Sequence, residues 1–517
     1  MRRKLHIIGI LLVLICTPFF GLGQKASTMH WGPVMTDQKG NELLSVFGAD
    51  SAYFYTLRTA SKKRDGFLIE QISTDSLAVE KVVTVQFPMV DGMFPLLFDA
   101  LSFGGRNYLI TTAENATNNE IHILAFELNT NLMLLGSPIT IGISDQAILG
   151  AGKNFMTYTD KLKRNLLVVI PKEKEAAKNE KFDVLLFDAD LNFLYKKSLE
   201  LPHASGLVGF EDILVDAGRG FFLLTSIVDK SLKTIHANRN MGRNYSLLQY
   251  TWENELMRER SLAIGTKWLY NVKLIENAAD NFQIAGYFSN MVDLIMAGTF
   301  SVEIDRESGE IVNQGLNPFD REFKNKFKSA TNNDPADLGL YRLDHVYPVS
   351  QNRTQLVSEK RYSQTSTVFN PATGTYSVIE INYFDQLLIT GMSPSSEIIY
   401  QFKIPKFQSS SRIDGLYTSY VAWQGKSGIY LIYNDHERNA ALRLDEESNY
   451  RQVNSTSSTQ VVALNIDDSG QAKKEVMFTT ADRKMTFTPY FFYALDDGII
   501  LMTVDGYKTQ YVRLKLE

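Results

Sequence analysis

The hydrophobic positions of this chain fall into short runs that return at a nearly regular interval. AYFYTLR (52–58), NYLITTA (107–113), LLVVIPK (166–172) and FFLLTSI (221–227) are followed by NFQIAGYF (281–288), TQLVSEKRY (354–362), GIYLIYND (428–435) and GIILMTV (498–504). The eight runs start 55, 59, 55, 60, 73, 74 and 70 residues apart. Most are apolar without alternation, the pattern of a strand buried on both faces. After each comes a two-strand segment around a polar turn, as in FLIEQISTDSLAVEKVVTV (67–85), HILAFELNTNLMLLGSPITI (122–141) and DVLLFDADLNFLYKKSLEL (183–201). Asp, Asn, Ser and Gly collect at those turns, where a positive φ or a side-chain-to-backbone bond is needed.

Four strands every 50–75 residues predict an all-β fold of antiparallel repeats, a β-propeller. Two packed β-sandwiches are the competing architecture. Eight similar units favour a single closed propeller of eight blades, with seven as the alternative count. The final unit, FTPYFFYALDDGIILMTVDGYKTQYVRLKLE, holds three strands, and HWGPVMT (30–36) is expected to supply the fourth and close the last blade. A ring closed by its own ends leaves no long open edge. Residues 314–340, polar and rich in Asn, Asp and Lys, read as a surface insertion with a short helix near 320–329. A second long stretch, KRYSQTSTVFNPATGTYSVIEINYFD (360–385), separates strands of the sixth unit. Insertions of this kind project from a propeller face, where binding sites usually lie.

The N-terminus decides where such a fold works. Arg2, Arg3 and Lys4 precede an apolar run from Ile7 to Ile15, and Gly21 and Gly23 are small residues at −3 and −1 of a cut before Gln24. The reading is a signal peptide over 1–23 and a propeller domain over 24–517, exported to the periplasm or to the extracellular or outer-membrane side. A lipid on Cys16 does not fit, because Ile15 stands where such sites want a small residue. Cleavage removes Cys16, the one cysteine, so neither a disulfide nor a thiol nucleophile is expected in the mature chain. It also leaves 50 basic against 58 acidic side chains, a net charge of −8, which argues against nucleic acid or an anionic membrane as partner. After signal removal no apolar stretch reaches transmembrane length.

Motifs of metal and cofactor chemistry start here and do not finish. His436-Glu437 opens like a zinc-hydrolase motif, but Ala440 occupies the place of the second His one helical turn later. DADLN (188–192) opens like a calcium loop, but Phe193 and Leu199 stand where Gly and Glu are required. There is no phosphate loop, dinucleotide fingerprint or Gly-x-Ser-x-Gly. No metal and no cofactor is expected. The 24 Tyr and 31 Phe serve first as packing between sheets. Asp and Glu are plentiful, and sequence alone does not place two of them at the separation that glycoside cleavage demands.

One region carries a resemblance. LGLYRLDHVYPVSQNRTQLVSEKRY, YSVIEINYFD, IYQFKIPKFQSSS and YLIYNDHERN, all within 338–439, resemble an uncharacterised family of secreted β-propeller proteins of Bacteroidota. Its pattern runs as E-x-x-Y, then I-P-K-x-Q, then Y-N-D-x-x-x-N, here Glu359 to Tyr362, Ile404 to Gln408 and Tyr433 to Asn439. HWGPV near the start is similar too. The match covers about a fifth of the chain and implies the fold without implying a reaction. It marks Glu359, Arg361, Tyr362, Gln408, Asn434, Asp435 and Asn439 as the candidate binding set. Glu359, Arg361, Asn434 and Asp435 are expected to form one hydrogen-bonded cluster between the sixth and seventh blades, either as a brace or as a polar ligand site.

Three functional readings follow. The first is a non-catalytic binding or scaffold propeller of the cell envelope, its partner an envelope protein or a glycan. The second is a carbohydrate-active hydrolase or lyase with carboxylates at the channel mouth. The third is a subunit of an outer-membrane assembly, docking through a broad face. The first leads, because a large repeat core accompanies no recognisable catalytic constellation.

Overall fold

In a computed structural model of the chain, the described residues are 27–516 apart from 38–40, 50–51, 61–65, 147–153, 174, 217, 229–242, 278, 291–294, 328–335, 350–352, 371–373, 412–414 and 427. Residues 1–23, read above as a signal peptide, lie outside them. The described chain is mostly strand, and consecutive strands pair antiparallel into four-stranded units. Eight such units follow one another: 43–85, 95–145, 156–204, 208–261, 268–318, 341–404, 420–479 and 486–516. Arg243 opposite Leu269 joins the fourth and fifth into one continuous sheet.

The last unit has three strands of its own, and Ser27–Trp31 lies antiparallel on the third, from Ser27 opposite Leu516 to Trp31 opposite Val512. Met35–Thr36 pairs with the same strand at Thr509 and Lys508. The residues expected to supply a fourth strand are therefore found on this unit.

The eight apolar runs form the second strand of each unit, for example Leu166–Pro171 and Phe282–Ser289, both buried along their whole length. Each is hydrogen-bonded on both edges and covered on both faces, which leaves no position for a polar alternation. Gly220, Gly428 and Gly498 open three of them. There a Cβ would lie 1.7, 2.1 and 2.0 Å from the carbonyl oxygens of Tyr250, Ile466 and Leu514 on the neighbouring strand.

Apolar side chains collect in eight clusters, each between consecutive units. Leu57 and Ile69 meet Leu109 and Phe126 between the first and second units. Leu224 and Leu247 meet Ile284 and Phe300 between the fourth and fifth. The eighth cluster joins the last unit to the first: Phe54 and Ile72 pack with Ile500, Met502 and Tyr511, the rings of Phe54 and Tyr511 edge to face at 5.2 Å. Four-stranded antiparallel sheets packed face to face in sequence order, with the last on the first, are the layering of a β-propeller.

Two expectations about the insertions are corrected. Residues 314–318 are strand, because Ile311–Pro318 pairs with Gly298–Ile304. The segment that follows is anchored in the core. Phe319, Phe323, Phe327 and Leu338 are buried beside Tyr287 and Tyr341, and the helix Arg321–Asn325 is capped by Asp320, whose side chain accepts the Phe323 N–H at 2.7 Å. The stretch 360–385 does not interrupt the sixth unit either. Arg353–Asn370 and Thr375–Met392 run straight through it as one hairpin of 18-residue strands. DADLN is a hairpin turn, in which the Asp188 carboxylate accepts the Asp190 and Asn192 N–H groups at 2.9 and 2.8 Å and Leu191 takes φ +57°.

Candidate functional site

Glu359 ends the regular part of the second strand of unit six, and it is fully buried. A carboxylate at such a position is tolerated only if opposite charge and hydrogen bonds replace water. Three groups do so. Lys406 Nζ lies 2.7 Å from Oε1, while Arg361 Nε at 2.5 Å and Ser419 Oγ at 2.9 Å donate to Oε2. Arg361 also reaches Asp344 Oδ2 at 2.9 Å, and the Tyr420 hydroxyl donates to the same oxygen at 2.9 Å. Asp344 is brought there by a β-bulge between Leu343 and His345, which turns it out of the ladder register.

Lys406 extends the network toward the seventh unit. It donates to the Phe384 carbonyl at 2.8 Å and to Gln408 Oε1 at 2.9 Å. Gln408 Nε2 in turn donates to the Asn434 carbonyl at 2.7 Å. The Asn434 side chain donates to the carbonyls of Tyr417 and Phe487, both at 2.8 Å. Since Phe487 belongs to unit eight, one polar chain ties three units together.

Asp435 belongs to a second, separate network. The preceding residue holds the inter-unit chain, while the Asp435 carboxylate accepts from His436 N at 2.9 Å and Asn439 Nδ2 at 2.7 Å, and sits 3.1 Å from Lys474 Nζ. Lys474 also donates to the Asn439 carbonyl at 2.7 Å. Asn439 closes on Arg451, donating to its carbonyl at 2.9 Å and accepting its N–H at 2.8 Å. Asp435 and Asn439 thus pin the 437–451 loop to their own unit. The expected single cluster is two: Glu359, Arg361, Gln408 and Asn434 in one, Asp435 and Asn439 in the other. Tyr362 stands beside the first, stacked on Tyr383 at 4.6 Å and donating to Asp385 at 2.9 Å. The His436 ring lends Nδ1 to the Arg438 N–H at 3.1 Å, a turn contact.

The electrostatics follow from burial. Desolvation pushes the Lys406 ammonium below its usual value, with Glu359 pulling the other way. Burial raises Asp435 against the pull of Lys474, and raises Asp344 from 3.8 to about 6 against that of Arg361. His345 beside it is lowered from 6.5 to about 4, by burial first and then by Lys273 and Arg361.

Asp344, Lys406, Ser419, Tyr420 and Lys474 were not among the candidate residues. Lys406 was within reach, since it is the Lys of I-P-K-x-Q. The others come from strands and loops whose meeting depends on the fold. Among the described residues no group of three or more His, Cys, Asp or Glu side chains could hold a metal ion. The candidate set contains no nucleophile beside a free base, and the charges at its centre are spent on one another.

No family model and no curated protein matches the chain. Solved structures share a loose likeness. The quinohemoprotein alcohol dehydrogenase of Comamonas testosteroni is 10% identical, with a TM-score of 0.43 over 94% of this chain and 76% of its own. The β-propeller domain of the trilobed protease of Pyrococcus furiosus is 11% identical, with a TM-score of 0.35 over 84% of this chain and 95% of its own. The xylan β-1,4-xylosidase of Bacillus halodurans C-125 is 10% identical, at 0.24 over 93% and 100%. Likenesses this distant carry no argument about chemistry.

Proposed function

We propose that the protein is a single closed eight-bladed β-propeller, exported to the cell envelope, that works as a non-catalytic binding or scaffold protein for an envelope protein or glycan. Eight four-stranded units, with an apolar cluster between the last and the first, support the blade count and the closure. The basic and apolar N-terminal segment supports export. The observation that carries the non-catalytic reading is the Glu359–Lys406 pair. Both partners are fully buried, and Glu359 has Arg361 and Ser419 as well, so these charges are spent on one another and, through Gln408 and Asn434, on the contact with blade seven.

A tagged copy captured from envelope fractions of the native host tests this reading. One stoichiometric partner or glycan is expected, and Asp435→Asn should lower thermal stability without weakening that capture. Partner binding lost at unchanged stability would instead make the second network a ligand site. Asp344 gives the carbohydrate-enzyme reading a foothold, as a carboxyl raised to about 6 on a first strand, where a propeller places its channel. Turnover of a host polysaccharide, abolished by Asp344→Asn, would replace the scaffold reading.

A further inference from the structure

Past the sixth sheet, two strands continue as a ribbon. Arg353–Asn370 is paired with its inner neighbour as far as Lys360, opposite Tyr341. Thr375–Met392 is flanked by Ile398–Ile404 from Leu387 onward and by Gln408–Ser410 across Asn382 to Phe384. Toward the tip the two strands pair with each other, from Tyr362 opposite Tyr383 to Asn370 opposite Thr375. Among the described residues no other strand pairs with 361–370 or 376–381. Ser363, Thr365, Thr367 and Phe369 are exposed along one face, with Tyr376 and Val378 opposite them at 72% and 70% exposure.

A two-stranded ribbon is marginal alone in water, and each open edge offers a row of N–H and C=O groups to any strand that arrives. Three outer strands of other units are guarded with charge, whereas Ile311–Pro318 carries none. Val79–Val85 carries Glu80 and Lys81, Leu256–Ser261 carries Arg258, Glu259 and Arg260, and Ala472–Thr479 carries Lys473, Lys474 and Glu475. From Tyr362 to Phe384 the one charged residue is Glu380, in a chain that is 21% charged. Thr, Val, Ile and aromatic residues fill the ribbon, and its one proline, Pro371, lies between the strands. This edge is left unguarded.

We propose that the ribbon is a self-association element: the 362–370 edge pairs antiparallel with the same edge of a second copy, across a twofold axis near Ser366. An antiparallel edge is complementary to itself, donor facing acceptor, so a twofold pairing needs no second design. Charge does not oppose an identical partner at this place. Two copies, each of net charge −8 without residues 1–23, repel as whole bodies, and the uncharged edge lets them meet with no like charges opposed. The axis sets Thr365 against Thr367 of the second copy, a favourable cross-strand pair, and leaves Glu380 on the far strand. One ribbon edge is smaller than a standard stable interface, so the dimer is reversible.

Sedimentation velocity of the purified protein from low micromolar to near-millimolar concentration tests the pairing. The weight-average mass should climb toward twice that of one chain. Thr365→Lys/Thr367→Lys changes exposed side chains only and should stay monomeric throughout, with an unchanged thermal midpoint. A Thr365→Glu/Thr367→Glu chain should also be monomeric, and an equimolar mixture of the two variants should regain the doubled mass. A wild-type protein that stays monomeric overturns the proposal and leaves the edge to some other strand. So does a lysine variant that dimerises like the wild type.

Discussion

Lys406 Nζ lies 2.7 Å from Glu359 Oε1 with both side chains sealed from water, Glu359 on the second strand of unit six and Lys406 just past its fourth. Removing one member of such a pair strands the other charge in a low-dielectric interior. Arg361 and Ser419 would still hold Glu359, so Lys406→Met should cost about 3 kcal/mol, at the lower end for a broken buried pair. Adding Glu359→Gln should return at least about 1 kcal/mol, because a neutral amide no longer needs the cation. Denaturant titration of the wild type and both variants measures this; a single variant as stable as the wild type would remove the brace.

The inner strand of the same unit holds two titrations of opposite sign. Asp344, raised to about 6, keeps a proton in the folded chain between pH 4 and 6 that the unfolded chain has lost, so its contribution weakens the fold as pH rises through that window. His345, lowered to about 4, is bare in the folded chain where the unfolded chain is protonated, so its contribution weakens the fold as pH falls from 6.5 to 4. The two slopes offset in the wild type. Asp344→Asn should expose the histidine slope and lose about 3 kcal/mol more than the wild type between pH 6.5 and 4. His345→Gln should show the reverse, gaining stability on acidification from pH 6 to 4. Unfolding curves at three pH values suffice, and parallel pH profiles for all three proteins would contradict it.

These two networks show what the amino-acid pattern could and could not carry. The second strands were legible because burial on both faces forces an unbroken apolar run, and the run recurs. Glu359, Gln408 and Asn434 were legible as members of one motif set. Asp344 was not: it acts through a bulge, and a bulge is a matter of register between two strands that leaves little trace in either. The 314–340 segment misled by its composition. Phe319, Phe323 and Phe327 recur every four residues and make one apolar stripe, while the Asp, Lys and Asn between them gave the segment the look of a surface loop.

Trp31 tests the contribution of the first strand. Its ring packs edge to face on Phe478 at 4.8 Å, under the Arg483 guanidinium at 4.4 Å. Being partly buried, it should cost about 2 kcal/mol on replacement by Ala, less than the 3–5 kcal/mol of a fully buried aromatic. Deleting 31–36 should cost more, since it also removes the pairing of Met35–Thr36. A truncated protein that melts with the intact one would overturn the proposed closure by the N-terminal strand.

Gly428 and Gly498 make a conformational prediction. Both open a buried strand at φ +145° and +152°, with a backbone carbonyl where a Cβ would stand. Alanine at either position meets strain and a clash together, and each substitution should destabilise by roughly 2 kcal/mol or more. Gly105, at φ +74° with nothing within 4 Å of its Cβ position, is the control. Gly105→Ala should cost about 1 kcal/mol, from conformation alone. Equal losses at all three positions in thermal melts would show that the close approach to the neighbouring strand plays no part.

The pairing of Ser27–Trp31 with Lys508–Leu516 also sets an order of events. Asp37 accepts from Thr509 across a sequence separation of 472, and Gln510 donates to the Gly32 carbonyl across 478. Ser27–Trp31 therefore leaves the ribosome long before the strand it pairs with. Until residue 508 has emerged, the eighth sheet has neither its own outer strand nor the borrowed one, and Phe54 and Ile72 of the first unit lack the cover of Tyr511. Contacts this distant in sequence make for slow final assembly. A chain interrupted before residue 508 is left with Phe54 and Ile72 only partly covered, exposed to proteases and to aggregation.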